Sequence, residues 1–141
     1  MGVIRFYVED VPFKIPHPNK TRQWLRRVIA EYGYSLHYLN YIFASDEYVL
    51  GVNQQYLNHD YYTDIITFDQ SSSPAHLAGD LFISIPRVTD NATALKVPFL
   101  EELNRVMVHG VLHLLGESDK SIKAKAAMRK AEDRFLAIRE F

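Results

Sequence analysis

From Val106 to Gly116 the chain carries no formal charge, reading Val106-Met-Val-His-Gly-Val-Leu-His-Leu-Leu-Gly116. The run is too short to span a bilayer. It is apolar on most faces, so it predicts a helix buried at the centre of the protein rather than laid on its surface. Pro98 suits the first turn of that helix, where its missing N–H costs nothing. A chain with such a helix must wrap other elements around it. The only polar side chains in the run are His109 and His113. Four residues apart on a helix, they project from one face and can reach a single point.

The flanking sequence supplies the wrapping. Val3 to Val8 reads as a strand, and Asn19 as the cap of a helix to about Tyr32, with Trp24, Leu25, Val28 and Ile29 buried and Gly33 ending it. Ser35 to Ala44 reads as a second strand. Ser45 caps a helix with Tyr48, Val49, Val52 and Tyr56 at helical spacing, which makes Tyr56 a core residue rather than a catalytic one. Thr63 to Phe68 and Leu81 to Ile85 are two more strands, separated by the Ser71-Ser72-Ser73-Pro74 loop. A short helix follows near Val88 to Leu95. The last segment, from about Ser121, carries Ala124, Ala127, Ala131, Phe135 and Ile138 as a core-facing stripe. These elements predict one α+β domain over residues 1–141, with a small four-stranded mixed sheet, about five helices and the two-histidine helix at its centre.

Composition removes several classes of function. With no cysteine among 141 residues, disulfides, thiolate metal sites and cysteine nucleophiles are excluded. A cysteine-free chain suits a reducing cytoplasm. Arg5, Glu9 and Asp10 break the N-terminal apolar run, so it does not read as a signal peptide. The net charge of −1 favours no polyanionic partner by itself. Basic residues nonetheless gather at Lys20, Arg22, Arg26 and Arg27, and again from Lys120 to Arg139, where they read as solvated helix faces.

The histidine pair carries the chemistry. Buried imidazole nitrogens cost about 1–3 kcal/mol each if unsatisfied, and ligating one cation satisfies a nitrogen of both rings. Gly116 can take the left-handed conformation that ends the helix. The chain then turns back through Glu117 and Ser118 to offer Asp119 as a third ligand. Two imidazoles and a carboxylate, with a position left for water, describe a catalytic site. Zinc is the first expectation, with iron or nickel compatible with the same donors. Histidines at positions 1 and 5, a glycine at 8 and a ligand at 11 also match metzincin proteases. Those enzymes need a glutamate directly after the first histidine, and here Gly110 stands there.

The segment His109-Gly110-Val111-Leu112-His113-Leu114-Leu115-Gly116-Glu117-Ser118-Asp119 resembles the His-Gly-x-Leu-His-Leu-x-Gly-Tyr-Asp-His signature of the YbeY family, metal-dependent endoribonucleases of ribosomal RNA maturation. Thr63-Asp64-Ile65-Ile66-Thr67-Phe68 is similar to that family's Thr-Asp-Val-Leu-Ser-Phe strand, and Gly79-Asp80-Leu81-Phe82-Ile83 to its Gly-Asp-Ile-x-Ile strand. The resemblance implies one bound metal on His109, His113 and Asp119, RNA as substrate, and a place in maturing the small-subunit rRNA 3′ end beside the ribosomal subunit. It departs at two positions. Asp119 stands where the family usually has histidine, which lowers the site's charge by one. Leu57 stands where the family usually has an arginine implicated in RNA handling, a role for which His59 or Lys120 is the available substitute. Asp64 and Asp80 read either as turn formers or as carboxylates that orient a ligating histidine. Two rival readings stay open: a non-catalytic ribosome-associated factor with a structural metal, and a protease-like hydrolase using the same triad.

Overall fold

The structure is a computed structural model that describes residues 2–141. Its elements run β1 (Val3–Val8), α1 (Pro18–Glu31), β2 (Ser35–Ala44), α2 (Asp46–Leu57), β3 (Ile65–Asp69), β4 (His76–Ser84), α3 (Ile85–Leu95), α4 (Phe99–Leu114) and α5 (Ile122–Ala137). The four strands form one mixed sheet in the order β1-β2-β4-β3. The pairs β1–β2 and β2–β4 are parallel, and β3 returns antiparallel on β4. The α+β expectation with a four-stranded mixed sheet and five helices holds.

Helix α4 is the hub. It packs against β3, β4, α1, α3 and α5, and Leu103, Met107, Val108, Val111 and Leu112 are wholly buried. Strand alternation sends Leu39, Tyr41 and Phe43 of β2 and Leu81 and Ile83 of β4 into the same core. The buried Tyr41 hydroxyl donates to the Met107 carbonyl at 2.9 Å, so even the polar tip of that side chain is spent on holding α4 to the sheet. On the other side, Trp24 Nε1 donates to the Phe135 carbonyl at 2.8 Å, joining α1 to α5. The opposite sheet face carries a smaller cluster of Ala44, Val49, Val52 and Ile66 beneath α2.

Gly110 fixes how close α4 comes to the sheet. A Cβ there would collide with Leu81 Cδ2 and lie 2.8 Å from Ile65 Cδ1. The residue after the first histidine is therefore small because β3 and β4 pass directly beneath it.

Several boundaries and faces differ from the sequence expectation. Helix α1 begins at Pro18 rather than after an Asn19 cap: His17 takes a left-handed conformation, and Asn19 Oδ1 instead accepts from Arg22 Nη1 at 2.9 Å. Strand β4 starts at His76, so the serine-rich loop is shorter than its composition suggests. Helix α3 starts at Ile85, because the Ser84 hydroxyl caps it by accepting from Arg87 N–H. Tyr56 is 64 % exposed rather than core, since only Val49, Val52 and Asn53 of α2 face inward. On α5 the buried residues are Met128, Glu132 and Phe135, and Ala127 lies outside.

Candidate metal centre

Helix α4 presents His109 and His113 from its last two turns, and the loop beyond it brings up Asp119. Two local features produce this. Gly116 adopts φ +101° and donates its N–H to the His113 carbonyl at 3.1 Å, while Glu117 N–H reaches the Leu112 carbonyl at 2.9 Å. These bonds satisfy the carbonyls orphaned at the helix end and reverse the chain. The Glu117 carboxylate then accepts from the Tyr32 hydroxyl at 2.9 Å, tying the turn to α1. Burial and this bond push the Tyr32 phenol up to about 12.

The three donors converge. His109 Nε2 and His113 Nε2 lie 3.1 Å apart, and Asp119 Oδ2 lies 3.6 Å from the first and 3.3 Å from the second. Tetrahedral zinc, with bonds of about 2.0–2.1 Å, places its donors about 3.3–3.4 Å from each other. The triad therefore fits such an ion in both donor chemistry and spacing. It is the one group of its kind among the described residues.

Glu132 of α5 orients His109, a partnership the sequence reading missed. His109 Nδ1–H donates to Glu132 Oε2 at 2.6 Å, which leaves Nε2 as the free donor atom. Glu132 is 5 % exposed, and Arg105 Nη1 donates to its other oxygen at 3.0 Å. Burial works against a charged His109, yet the Glu132 bond and charge, aided by Asp119 and Asp64, outweigh it and raise the imidazole above its ordinary pKa. The available signal was an acid, Glu132, on the same helical stripe as Met128 and Phe135.

A cleft of about 760 Å³ opens over the triad. His59, Asp64 and Lys120 line it together with His109, His113 and Asp119, so six of the seven residues singled out from sequence share one space. Asp80 is the exception and corrects the reading of it as a partner for a ligating histidine. It alternates with Leu81 on β4, on the sheet face away from α4, where it accepts from Asn40 Nδ2 at 3.0 Å. Asp64 precedes β3, and its backbone carbonyl accepts Ser84 N–H at 2.9 Å. Burial raises the Asp64 carboxyl, partly offset by the nearby His109 charge. Leu57, at the position of the family arginine, also lines the cleft.

Fold and site together define a class: a small α+β domain in which one buried helix and the turn after it bring together two histidines and a carboxylate that could hold a metal ion. The sequence pattern of the family described as Endoribonuclease YbeY matches residues 9–139. An endoribonuclease YbeY of Cytophaga hutchinsonii is 47 % identical over 138 residues, covering 98 % of this chain and 96 % of that protein. One from Porphyromonas gingivalis is 44 % identical over 138 residues, covering 98 % and 91 %. The solution structure of a Thermotoga maritima protein shares the fold, with a TM-score of 0.65, 24 % identity, and coverage of 94 % of this chain and 86 % of that one. The chain belongs to the YbeY endoribonuclease family.

Proposed function

We propose that this chain is a metal-dependent endoribonuclease acting in ribosomal RNA maturation, and that its cleft is the active site. The observation that carries the assignment is the convergence of His109, His113 and Asp119 within 3.1–3.6 Å on the wall of a substrate-sized cleft. These three residues would hold the ion, with zinc the best match to their spacing. Bound there, the metal supplies positive charge that polarises a phosphoryl oxygen and acidifies water. The remaining work belongs to the chain. Glu132 fixes the His109 ring and its tautomer. Lys120, next to the third ligand, offers a cation to a flanking phosphate. Gly110 leaves no glutamate to serve as a protease's base, which disfavours proteolysis on the same triad.

We take residues 1–141 as one domain built around this site, working in the cytoplasm beside the small ribosomal subunit. No helix among the described residues is long and apolar enough to cross a membrane. The test pairs metal content with cleavage of single-stranded RNA in the wild type and His113→Ala. The wild type should hold one ion per chain and cleave, and the variant should lose both. Unchanged cleavage by a metal-free variant would overturn the assignment. Loss of cleavage with ribosome binding retained in both proteins would favour the non-catalytic factor instead.

A further inference from the structure

The cleft is poor in cations for a site that must seat a polyanion. Its lining offers Asp64, Asp69 and Asp119 against Lys120, Leu57 contributes no charge, and a divalent ion on the triad would only bring that balance to about zero. Phosphate attraction normally supplies most nucleic-acid affinity. Here a different source of binding is required, and the wall facing the triad provides one.

That wall is the loop joining α2 to β3. The His59 and Tyr61 rings stack with centroids 5.1 Å apart and planes 21° from parallel, pinned by a 3.0 Å contact between the Tyr61 hydroxyl and His59 Nδ1. Asn53, 1 % exposed, holds the loop at two points: its carbonyl accepts His59 N–H at 3.1 Å, and its side-chain amide donates to the Tyr61 carbonyl at 2.9 Å. Asn58 makes the sharp exit from α2 in a left-handed conformation. The loop is therefore preorganised, which lowers the entropy lost when a ligand binds. Tyr61 nevertheless stays 55 % exposed. Its neighbour Tyr62 shows the contrast, with its hydroxyl donating to Glu47 at 2.7 Å and its ring under Arg87. Tyr62 braces the fold, whereas the only aromatic partner of the Tyr61 ring among the described residues is His59.

We propose that the stacked His59–Tyr61 pair is a nucleobase platform, on which one unpaired base of the RNA lies while its phosphodiester chain runs toward His109, His113 and Asp119. The proposal rests on the endoribonuclease reading above and names the residues that select its substrate. Aromatic faces bind any exposed base, and a base within a duplex has no free face to give. The platform thus favours single strands without demanding a sequence.

The experiment uses the full chain, loaded with zinc, and a short single-stranded RNA carrying one 2-aminopurine. Affinity is read by anisotropy, stacking by 2-aminopurine quenching, and cleavage by kcat and KM separately. Tyr61→Ala should weaken binding and raise KM by about 5- to 150-fold, the usual loss at a base-stacking aromatic, and should abolish the quenching. Tyr61→Phe keeps the ring and loses only the contact that pins it to His59, so it should bind far closer to wild type than to Tyr61→Ala. An RNA with one abasic nucleotide at the quenched position should bind the wild type about 5- to 150-fold more weakly than intact RNA does. That comparison needs no variant, so it stands even if Tyr61→Ala fails to fold. Unchanged KM and quenching in a folded Tyr61→Ala protein overturn the platform, as do abasic RNAs that bind as tightly as intact RNA at every position. A wild type that neither binds nor cleaves single-stranded RNA overturns the endoribonuclease reading itself, and the platform falls with it.

Discussion

Removing the Glu132 carboxylate should loosen the metal and the fold together, by amounts the structure sets. In Glu132→Ala, His109 Nδ1 loses a 2.6 Å bond in a half-buried position, and the ring is free to turn its Nε2 away from His113 and Asp119. Loss of such an orienting partner costs about 10- to 100-fold in metal affinity, roughly 1.4–2.7 kcal/mol at 1.36 kcal/mol per tenfold. The same substitution strips Arg105 of one of two carboxylates. Breaking a buried pair costs about 3–5 kcal/mol. The Arg105 side chain is 13 % exposed but keeps Asp133 at 2.8 Å, which places the expected loss near the lower end of that range. Glu132→Gln retains volume and an acceptor oxygen for His109, so it should fall between the two proteins. Competition with a chromophoric chelator measures zinc affinity, and urea unfolding of the metal-free proteins measures stability. Zinc held as tightly by Glu132→Ala as by wild type, with His113→Ala as the weakened control, would refute the orienting role.

Two further outcomes follow from packing and from titration. Gly110→Ala gains about 1 kcal/mol of helix propensity but forces a methyl against Leu81 and Ile65. Overpacking costs about 1–3 kcal/mol, so thermal unfolding should show no stabilisation and at most about 2 kcal/mol of loss. A clear gain in stability would mean that α4 does not press on the sheet there. Tyr32 binds its proton more tightly folded than unfolded, from 10.0 up to about 12. Its bond to Glu117 should therefore stabilise the protein fully below pH 10.0 and be lost as the pH rises toward about 12. Wild type should melt above Tyr32→Phe at neutral pH, and the gap should close across that window. A gap that widens with pH would contradict the bond.

What could be read from the residues was mostly what is local. The histidine pair, the Gly116 reversal and the Ser45 cap each depend on spacings of a few residues, and all were legible. Glu132 was not, because its bond to His109 joins positions 23 residues apart and exists only once α5 docks on α4. The two aspartates in the strand motifs looked equivalent in sequence. Asp64 sits in the turn before β3 beside the triad, whereas strand parity carries Asp80 to the opposite face. Tyr56 failed for a related reason: its spacing was helical, but the cluster beneath α2 is too small to cover the last turn. The Tyr61 platform left no pattern at all, since its exposure depends on which neighbour Arg87 and Glu47 engage.

The close approach at Gly110 also bears on the evolutionary routes open to this site. Two helical histidines and a nearby carboxylate are one substitution short of a proteolytic pattern, and Gly110→Glu is a small genetic step. Here that step is closed by geometry rather than by chemistry. A glutamate could enter only if the Leu81 and Ile65 side chains moved aside, and both pack into the core of the domain. Position 119 is under no such constraint, because Asp119 lies half-exposed in the turn outside the packed layer. A long, charged side chain beside His109 would first need the side chains beneath Gly110 repacked.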